Sequence, residues 1–138
     1  MRNLRILLVA IVTFMSGVVA HAKITKPAVV QVKRKTVMSG KASWYSEKDP
    51  GINRRTANNE IFDDSDLTCA IWGAPFNQRV RVTNRDNGKS IVVRVNDRGP
   101  HYRFVRRGRI IDLTRSAFSQ IAPLKRGLIN VEIEFIDS

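Results

Sequence analysis

Two aspartates follow strand-like segments, in positions suited to acid–base chemistry. Asp97 follows the alternating segment 92–96 and stands directly before Arg98-Gly99-Pro100. Asp112 follows the apolar pair Ile110-Ile111 after a run of arginines. A carboxyl group that a tight turn fixes at the end of a strand can donate and accept a proton in a cleft. Each residue also has a structural interpretation: Asp97 can hydrogen-bond the backbone of its turn, and Asp112 can cap a helix or complement its dipole.

The elements that must position these carboxylates are predicted to be mainly β. Segments 79–83 and 90–95 alternate polar and apolar residues, as half-buried strands do. Asn87-Gly88 between them predicts a hairpin, because both residues of a tight turn can then take positive φ. Near the end of the chain, Ile129, Val131, Ile133 and Phe135 are expected to share one face of a last strand.

Three shorter segments predict further strands, at residues 41–45, 67–71 and 109–113. Thr114 or its neighbour is expected to cap a helix of about two turns over residues 115–121. About six short strands with one short helix are typical of a small β-barrel rather than a βαβ sheet. The sequence contains neither a P-loop nor a dinucleotide-binding fingerprint.

Residues 1–22 are expected to be a secretory signal peptide. Arg2 and Arg5 precede the apolar run Ile6 to Ala20, and Ala20-His21-Ala22 has the small-x-small pattern of a cleavage site. The run of about 15 residues is shorter than the roughly 20 that a membrane-spanning helix needs. We therefore expect cleavage near Ala22, export to the periplasm and no stable membrane anchor.

After this removal, residues 23–39 are interpreted as a basic linker and residues 40–138 as one folded, monomeric domain. Removing 22 of the 138 residues leaves 116, and losing two arginines lowers the net charge from +12 to +10. A basic surface attracts polyanions. For an exported protein we favour anionic cell-wall polymer or the outer-membrane surface over nucleic acid. The alternative is a basic surface that only keeps the protein soluble.

Cys69 is the single cysteine, so an intrachain disulfide is excluded. It lies in an apolar segment, where a free cysteine usually behaves as a small buried hydrophobic residue rather than a nucleophile. The mature chain would retain one histidine, His101. This composition disfavours a zinc site, and we expect neither a metal nor a cofactor.

An ordered series of short motifs across residues 40–136 resembles the rare lipoprotein A family of septal lytic transglycosylases. Any one of the motifs is weak, whereas the ordered set is specific. The series comprises Gly40-Lys41-Ala42-Ser43-Trp44-Tyr45, Arg55-Thr56-Ala57-Asn58-Asn59-Glu60-Ile61-Phe62, Leu67-Thr68-Cys69-Ala70, Pro75-Phe76, Val80-Arg81-Val82-Thr83-Asn84, Asn87-Gly88, Val92-Val93-Arg94-Val95-Asn96-Asp97-Arg98-Gly99-Pro100 and Gly108-Arg109-Ile110-Ile111-Asp112-Leu113.

The resemblance implies a six-stranded double-psi β-barrel with one or two short helices. It also implies endolytic cleavage of peptidoglycan glycan strands, preferably those stripped of stem peptides, with formation of 1,6-anhydro ends. Asp97 and Glu60 match functional acids of the family, and Asp112 matches an aspartate in the groove of related barrels such as expansins. Asp97 is the leading acid–base candidate, assisted by Glu60 and Asp112. Glu60 can also be a single exposed charge on a polar loop.

The substrate-binding candidates are aromatic and basic residues of the same motifs. Single aromatic residues more often pack in a core than stack on a sugar, and the arginines can belong to the solvated surface. One departure from the family is Ile71, where a histidine usually stands, since isoleucine cannot relay a proton. This departure favours the rival function, a non-catalytic, expansin-like wall-binding or wall-loosening module; an inhibitor or effector that acts on a host polymer is a third alternative. The substrate-binding candidates are Trp44, Tyr45, Arg98, His101 and Arg109, with Trp72 and Tyr102 as further stacking residues.

Overall fold

The computed structural model describes residues 36–136. The expected signal peptide and residues 23–35 of the expected linker lie outside the described residues. Within residues 36–136, no helix is long and apolar enough to cross a membrane. The elements are β1 (Val37–Tyr45), β2 (Thr68–Ala70), β3 (Arg79–Asn84), β4 (Ser90–Asp97), α1 (Tyr102–Val105), β5 (Arg109–Thr114), α2 (Arg115–Ile121), a 3-10 turn (Leu124–Arg126) and β6 (Leu128–Ile136).

The six strands close into a barrel in the order β1-β5-β2-β4-β3-β6. Strands β1 and β5 pair in parallel, as do β2 and β4, and the other four neighbouring pairs are antiparallel. The expected six-stranded barrel with short helices is therefore confirmed. Strand β1 begins at Val37, so it includes residues 37–39, which the sequence analysis assigned to the linker.

The core fills the barrel because apolar residues alternate along its strands. In β6, the side chains of Ile129, Val131 and Ile133 point inward, and Phe135 packs against the core, as expected. Cys69 is fully buried, and this burial raises the pKa of its thiol, which confirms a structural role. The other fully buried strand residues are Ala42, Val80, Val82, Val93, Val95, Ile111, Leu113 and Thr114.

The hairpin between β3 and β4 forms as predicted, but its turn differs from the expected one. Gly88 has φ of 72°, whereas Asn87 does not take a positive φ. The turn is closed by hydrogen bonds from Gly88 N–H to Asn84 O and from Asn84 N–H to Lys89 O, both 2.8 Å. The connection is therefore longer than a two-residue turn, and only its glycine needs the left-handed region.

Helix α2 covers the barrel where β5 ends, over the predicted range. The Thr114 hydroxyl accepts a hydrogen bond from Ala117 N–H, which is the expected N-cap. Ala117, Phe118 and Ile121 are buried on its inner face. At its other end, the Asn84 amide donates to Ile121 O at 2.9 Å and ties the helix to the hairpin.

Candidate active site

Strand β2 brings the two aspartates of β4 and β5 into one row. Ala70 is the register partner of Asp97 on one side and of Asp112 on the other, and Asp112 also pairs with Ser43 of β1. Directly paired residues share one face of a sheet. Asp97 and Asp112 are therefore two strand spacings apart, about 10 Å between Cα atoms. We call Asp97, Ala70, Asp112 and Ser43 the carboxylate row.

An irregularity in the register places Asp97 in this row. Cys69 pairs with Val95 but Ala70 pairs with Asp97, so Asn96 is an extra residue on β4. Such a bulge redirects the side chain that follows it. The carbonyl of Asn96 accepts a hydrogen bond of 3.2 Å from Asn58 N–H, which anchors the 55–61 loop on the bulge.

The Asp97 carboxylate uses one oxygen for its own positioning. Oδ1 accepts hydrogen bonds from Ala57 N–H at 2.9 Å and from Arg98 N–H at 2.8 Å. The structural interpretation of Asp97, a hydrogen bond to the backbone of its own turn, therefore holds for the bond from Arg98 N–H. Among the residues that the structure describes, Oδ2 accepts no hydrogen bond, and Asp97 lines a groove. Oδ2 is therefore the oxygen available to a ligand.

Asp112 lies beneath the turn that follows Asp97. A Cβ atom on Gly99 would be 3.2 Å from the Ala70 Cβ and 3.6 Å from Asp112 Oδ2, so glycine lets the turn approach the row closely. Burial raises the pKa of Asp112, while the hydrogen-bonded ion pair from the Arg109 guanidinium opposes this shift and the negative charge of Asp97 adds to it. Asp112 is a largely buried carboxyl group with one cationic partner.

Tyr45 lies between the barrel mouth and the loop. Its ring stacks on Phe62, with centroids 4.7 Å apart and planes 8° from parallel. Its hydroxyl is buried without a hydrogen-bond partner among the described residues. Burial raises the pKa of Tyr45, followed by the negative charge of Asp97, so the hydroxyl remains a proton donor beside the row.

Glu60 lies outside the groove, on the outer side of β4. Its carboxylate oxygens accept two hydrogen bonds from the Arg94 guanidinium, at 2.7 and 2.9 Å, and others from the Asn96 and Asn58 side-chain amides at 3.1 and 2.8 Å. The hydrogen bonds from Arg94, with those of the two amides, lower the pKa of Glu60 to about 2. Glu60 is therefore a fully bound carboxylate that fixes the loop carrying Ala57.

The groove at Asp97 has a volume of about 640 Å³ and continues into a recess of about 440 Å³. Trp72, 55% exposed, lines it, and its indole N–H donates to Pro100 O at 2.6 Å. The Arg98 guanidinium stacks over the Phe76 ring at 3.7 Å, and His101 caps α1. The residues that line the groove are Tyr45, Gly51, Ile52, Asn53, Arg55, Thr56, Ala57, Phe62, Trp72, Asp97, Arg98, Gly99 and His101.

Two sequence-based expectations for single residues differ from their positions in the structure. Trp44 does not line the groove: its indole N–H donates to Leu124 O at 3.1 Å and its ring packs against the core, because adjacent strand residues point to opposite faces. Ile71 is 1% exposed within the main core, so its side chain does not line the groove. Two further candidates also do not line the groove: Tyr102 is exposed on α1, and Arg109 forms its hydrogen bond with Asp112.

Sequence reasoning did not identify the Ala57 amide or the Tyr45–Phe62 stack as site components. The only signal for Ala57 and Phe62 in the sequence was their place in the family motif of residues 55–62, because any residue type can supply a main-chain N–H.

Three acidic residues beside the recess, Glu47, Asp63 and Asp64, bring carboxylate oxygens within 4.8 Å of one another. Local Ser46, Glu47 and Ser65 hydrogen bonds already engage the two aspartates of this cluster.

Comparison with protein families gives a match to the family described as lytic transglycolase, over residues 37–133. The endolytic peptidoglycan transglycosylase RlpA of Vibrio cholerae serotype O1 is 50% identical over 98 residues, which are 71% of this chain and 35% of that protein. RlpA of Pseudomonas aeruginosa strain PAO1 is 45% identical over 100 residues, 72% of this chain and 28% of that protein. This chain thus spans about a third of the length of these curated relatives.

Solved structures share the fold. The Streptomyces papain inhibitor has a TM-score of 0.58 at 28% identity, over 74% of this chain and 96% of that one. A Clavibacter michiganensis expansin has a TM-score of 0.56 at 16% identity, over 75% of this chain and 52% of that one. These neighbours confirm the double-psi type of barrel, and the expansin likeness shows the fold alone.

Proposed function

The chain belongs to the lytic transglycolase family, and we propose that its barrel cleaves peptidoglycan glycan strands endolytically, leaving 1,6-anhydro-muramic acid ends. The curated relatives carry the name of this activity. The observation that carries the proposal is the state of Asp97, which lines the groove with one oxygen fixed by two main-chain amides and the other without a hydrogen-bond partner among residues 36–136. A fixed carboxyl group with one accessible oxygen is suited to general acid–base catalysis.

In the proposed reaction, Asp97 acts twice. The protonated carboxyl first gives its proton to the glycosidic oxygen, the bond from that oxygen to C1 of the muramic acid breaks, and positive charge develops at C1. The carboxylate then takes the proton of the same sugar's 6-hydroxyl while that oxygen bonds to C1. The sequence releases one free 4-hydroxyl and one 1,6-anhydro end, consumes no water and restores the protonated Asp97.

Asp112, Tyr45 and Glu60 would assist in different ways. Asp112 lies near the reacting centre as a buried carboxyl group whose charge Arg109 balances, and in its ionised form it would stabilise the positive charge at C1. Tyr45 lines the groove with its hydroxyl buried, so it would shape the wall beside Asp97 rather than contact the sugar. Glu60 would act through position alone, because it and Arg94 hold the loop that presents the Ala57 amide.

The exposed groove side chains would hold the sugar rings. Trp72 offers an exposed indole for stacking, and His101 and Arg98 line the same groove. Tyr45 is 8% exposed and stacks on Phe62, so we assign it to the wall of the groove rather than to stacking on a sugar. We further propose a preference for strands without stem peptides, a monomeric protein and a location in the bacterial cell envelope after cleavage near Ala22.

A non-catalytic binding module is the second candidate. It is favoured by the engagement of Asp112 with Arg109 and of Glu60 with Arg94, which leaves Asp97 as the groove carboxylate without a cationic partner among the described residues. A binder would retain the groove and the aromatic residues but would not need the free oxygen of Asp97.

Digestion of purified peptidoglycan by the wild type and by Asp97→Asn distinguishes the candidates. We expect the variant to release anhydro-ended fragments at least about 100-fold more slowly, because general acid–base catalysis contributes factors of this size. Asp86→Asn is the matched control, since Asp86 is an exposed hairpin residue paired with Arg126. Unchanged release by Asp97→Asn would overturn the assignment. No release by the wild type, with binding to the polymer retained, would favour the binding module.

A further inference from the structure

A second pocket, of about 380 Å³, lies beside β1, α1 and the start of β6. We call it the basic pocket. It does not share a lining residue with the groove at Asp97. The residues that line it are Lys41, Ser43, Phe104, Arg107, Arg109, Gly127 and Leu128.

The basic pocket has an excess of positive charge. Lys41 and Arg107 are exposed, and neither has a carboxylate within 4.0 Å among residues 36–136. Arg109 is the third cation, and its partner is Asp112. The exposed Arg103 and Arg106 of the α1 segment add to the local potential. Three cations line this concave site, and the one carboxylate paired with them is that of Asp112 at Arg109, so the site favours an anionic ligand.

The walls of the basic pocket are suited to a sugar as well as to an anion. Phe104 is half-buried, and the guanidinium groups of Arg103 and Arg109 lie 4.8 and 4.9 Å from the centre of its ring. These contacts fix the ring in place. Leu128 is 43% exposed and adds a second apolar surface. Rigid apolar surfaces with a few polar groups are the usual composition of a small-molecule site.

The basic pocket is connected to the carboxylate row. Ser43 is the register partner of Asp112 in β5 and of Leu128 in β6, so the row continues by one strand into the pocket. From Asp97 to Leu128 the row covers four strand spacings, about 19 Å along the sheet. Arg109 links the two, because it forms an ion pair with Asp112 and also lines the basic pocket.

We propose that the basic pocket binds a carboxylate carried by the glycan strand, namely the lactyl carboxylate of a muramic acid whose stem peptide has been removed. The proposal rests on the proposed function, because it names a specificity element for the same substrate. An arginine fork matches the planar carboxylate, and Lys41 supplies a point charge. In a strand that retains its peptides this carboxyl group is an amide, which removes the charge that the pocket recognises.

The shape of the site favours the glycan over the other anionic partners of an exported protein. A membrane surface would require a flat basic face, whereas this site is concave and has an aromatic wall. Phosphate would satisfy the cations but would leave the exposed Leu128 surface without a partner. The pocket would thus increase affinity for stripped strands without contributing to bond cleavage, so its loss would raise KM and leave kcat almost unchanged.

The test measures binding by calorimetry in the full-length chain carrying Asp97→Asn, which prevents turnover. The ligand is a stripped muramic acid-containing tetrasaccharide, used as the free acid and as its methyl ester. Lys41→Gln combined with Arg107→Gln removes two exposed charges and leaves Arg109 and Asp112 in place. Arg85→Gln combined with Lys89→Gln is the control, with the same net charge and both changes in the exposed hairpin turn.

We expect the pocket variant to bind the free acid at least about tenfold more weakly than the control variant, since a hydrogen bond to a charged group contributes about 1.5–3 kcal/mol. We also expect the methyl ester to bind weakly and equally to both. Equal affinity of the two variants for the free acid, or equal affinity of the acid and its ester for the control variant, would overturn the proposal. A different result is that the pocket variant loses binding only to anionic phospholipid vesicles or to inorganic phosphate, while it binds the glycan as well as the control variant does. That result would overturn the proposal in favour of those ligands.

Failure of the proposed function gives a different result. If the wild-type protein releases no anhydro ends but binding still depends on the basic pocket, the pocket assignment stands and catalysis fails. If anhydro ends are released and the pocket variant keeps the KM of the wild type, catalysis stands and the pocket assignment fails. Thermal unfolding of both double variants, expected to match the wild type, shows that the comparison concerns folded proteins.

Discussion

At the scale of single residues, the three carboxylates differ in what holds them. Asp97 has two main-chain amides on one oxygen, while its second oxygen accepts no hydrogen bond from the part of the chain that the structure describes, and Asp112 is buried against one arginine. Glu60 is held by Arg94 and two side-chain amides. Asp97 is the one of the three that lines the groove, whereas Asp112 pairs with Arg109 and Glu60 with Arg94. The residues therefore divide into one proposed acid–base group and two that shape its surroundings.

The pH dependence of stability should identify Glu60 as an ion-paired group. Its pKa in the folded protein is about 2, below its ordinary value of 4.5. Its stabilisation is therefore present above about pH 4.5 and is lost as the pH falls towards about 2. Glu60→Gln should unfold at lower urea concentration than the wild type at neutral pH, and the difference should vanish near pH 2. Glu132→Gln, an exposed carboxylate of β6, is the control. A difference that persists at low pH would contradict this account.

Restoring the histidine of the family at position 71 should not restore a proton relay. Ile71 is buried in the core, so an imidazole there loses apolar burial and places polar nitrogens without water. We expect Ile71→His to lose about 2–4 kcal/mol of unfolding free energy and to gain no activity. Val37→His, at an exposed position of β1, should change stability little. A stable Ile71→His protein with a large increase in rate would place position 71 in the groove.

At the scale of elements, two register irregularities set the geometry of the row. The extra residue Asn96 on β4 places Asp97 beside Ala70. On the other side, Lys41 pairs with Arg109 but Ala42 pairs with Ile111, so Ile110 is an extra residue on β5 that precedes Asp112. The hydrogen bond from Asn58 N–H to Asn96 O holds the first bulge, and Gly40 packs closely against Ile110 at the second. The bulges thus align residues from strands that are far apart in sequence.

Gly40 should be required for the second of these irregularities. A Cβ atom at this position would lie 2.8 Å from two carbons of Ile110 and 2.9 Å from Gly108 O. Gly40→Ala should therefore cost about 1–3 kcal/mol of unfolding free energy and lower activity by displacing β5. Adding Ile110→Ala should restore only part of the stability, because the Gly108 carbonyl remains. Ser39→Ala, on the neighbouring exposed position, is the control, and equal stability of Gly40→Ala and Ser39→Ala would contradict the prediction.

Local patterns allowed the hairpin, α2 and the inward face of β6 to be predicted, since each depends on neighbouring residues. It was harder to predict which side chains lie at the groove and which residues they contact there. Alternation puts Trp44 and Tyr45 on opposite faces, but only closure of the barrel decides which one enters the core. The partners Arg94 and Glu60 are 34 residues apart, and β2 joins Asp97 to Asp112 by non-local pairing. Neither relation is visible in a single sequence pattern.

At the scale of the whole molecule, the closed barrel acts as a rigid frame for one groove and one basic pocket. Six paired strands and a packed interior fix the row, and the 55–61 loop and the turn at Gly99 complete the mouth around Asp97. The net charge of +12 favours approach to an anionic polymer over long distances. The central claim is that the groove performs an intramolecular cyclisation of the glycan rather than a hydrolysis.

Digestion of stripped glycan strands in ¹⁸O-labelled water, followed by mass spectrometry of the released fragments, tests this claim most directly. A lytic transglycosylase adds no water to the product, so the wild-type protein should release unlabelled fragments that are lighter than the hydrolysis product by one water. Asp97→Asn should release almost none. Labelled reducing ends from the wild type, or equal release of anhydro ends by Asp97→Asn, would contradict the account.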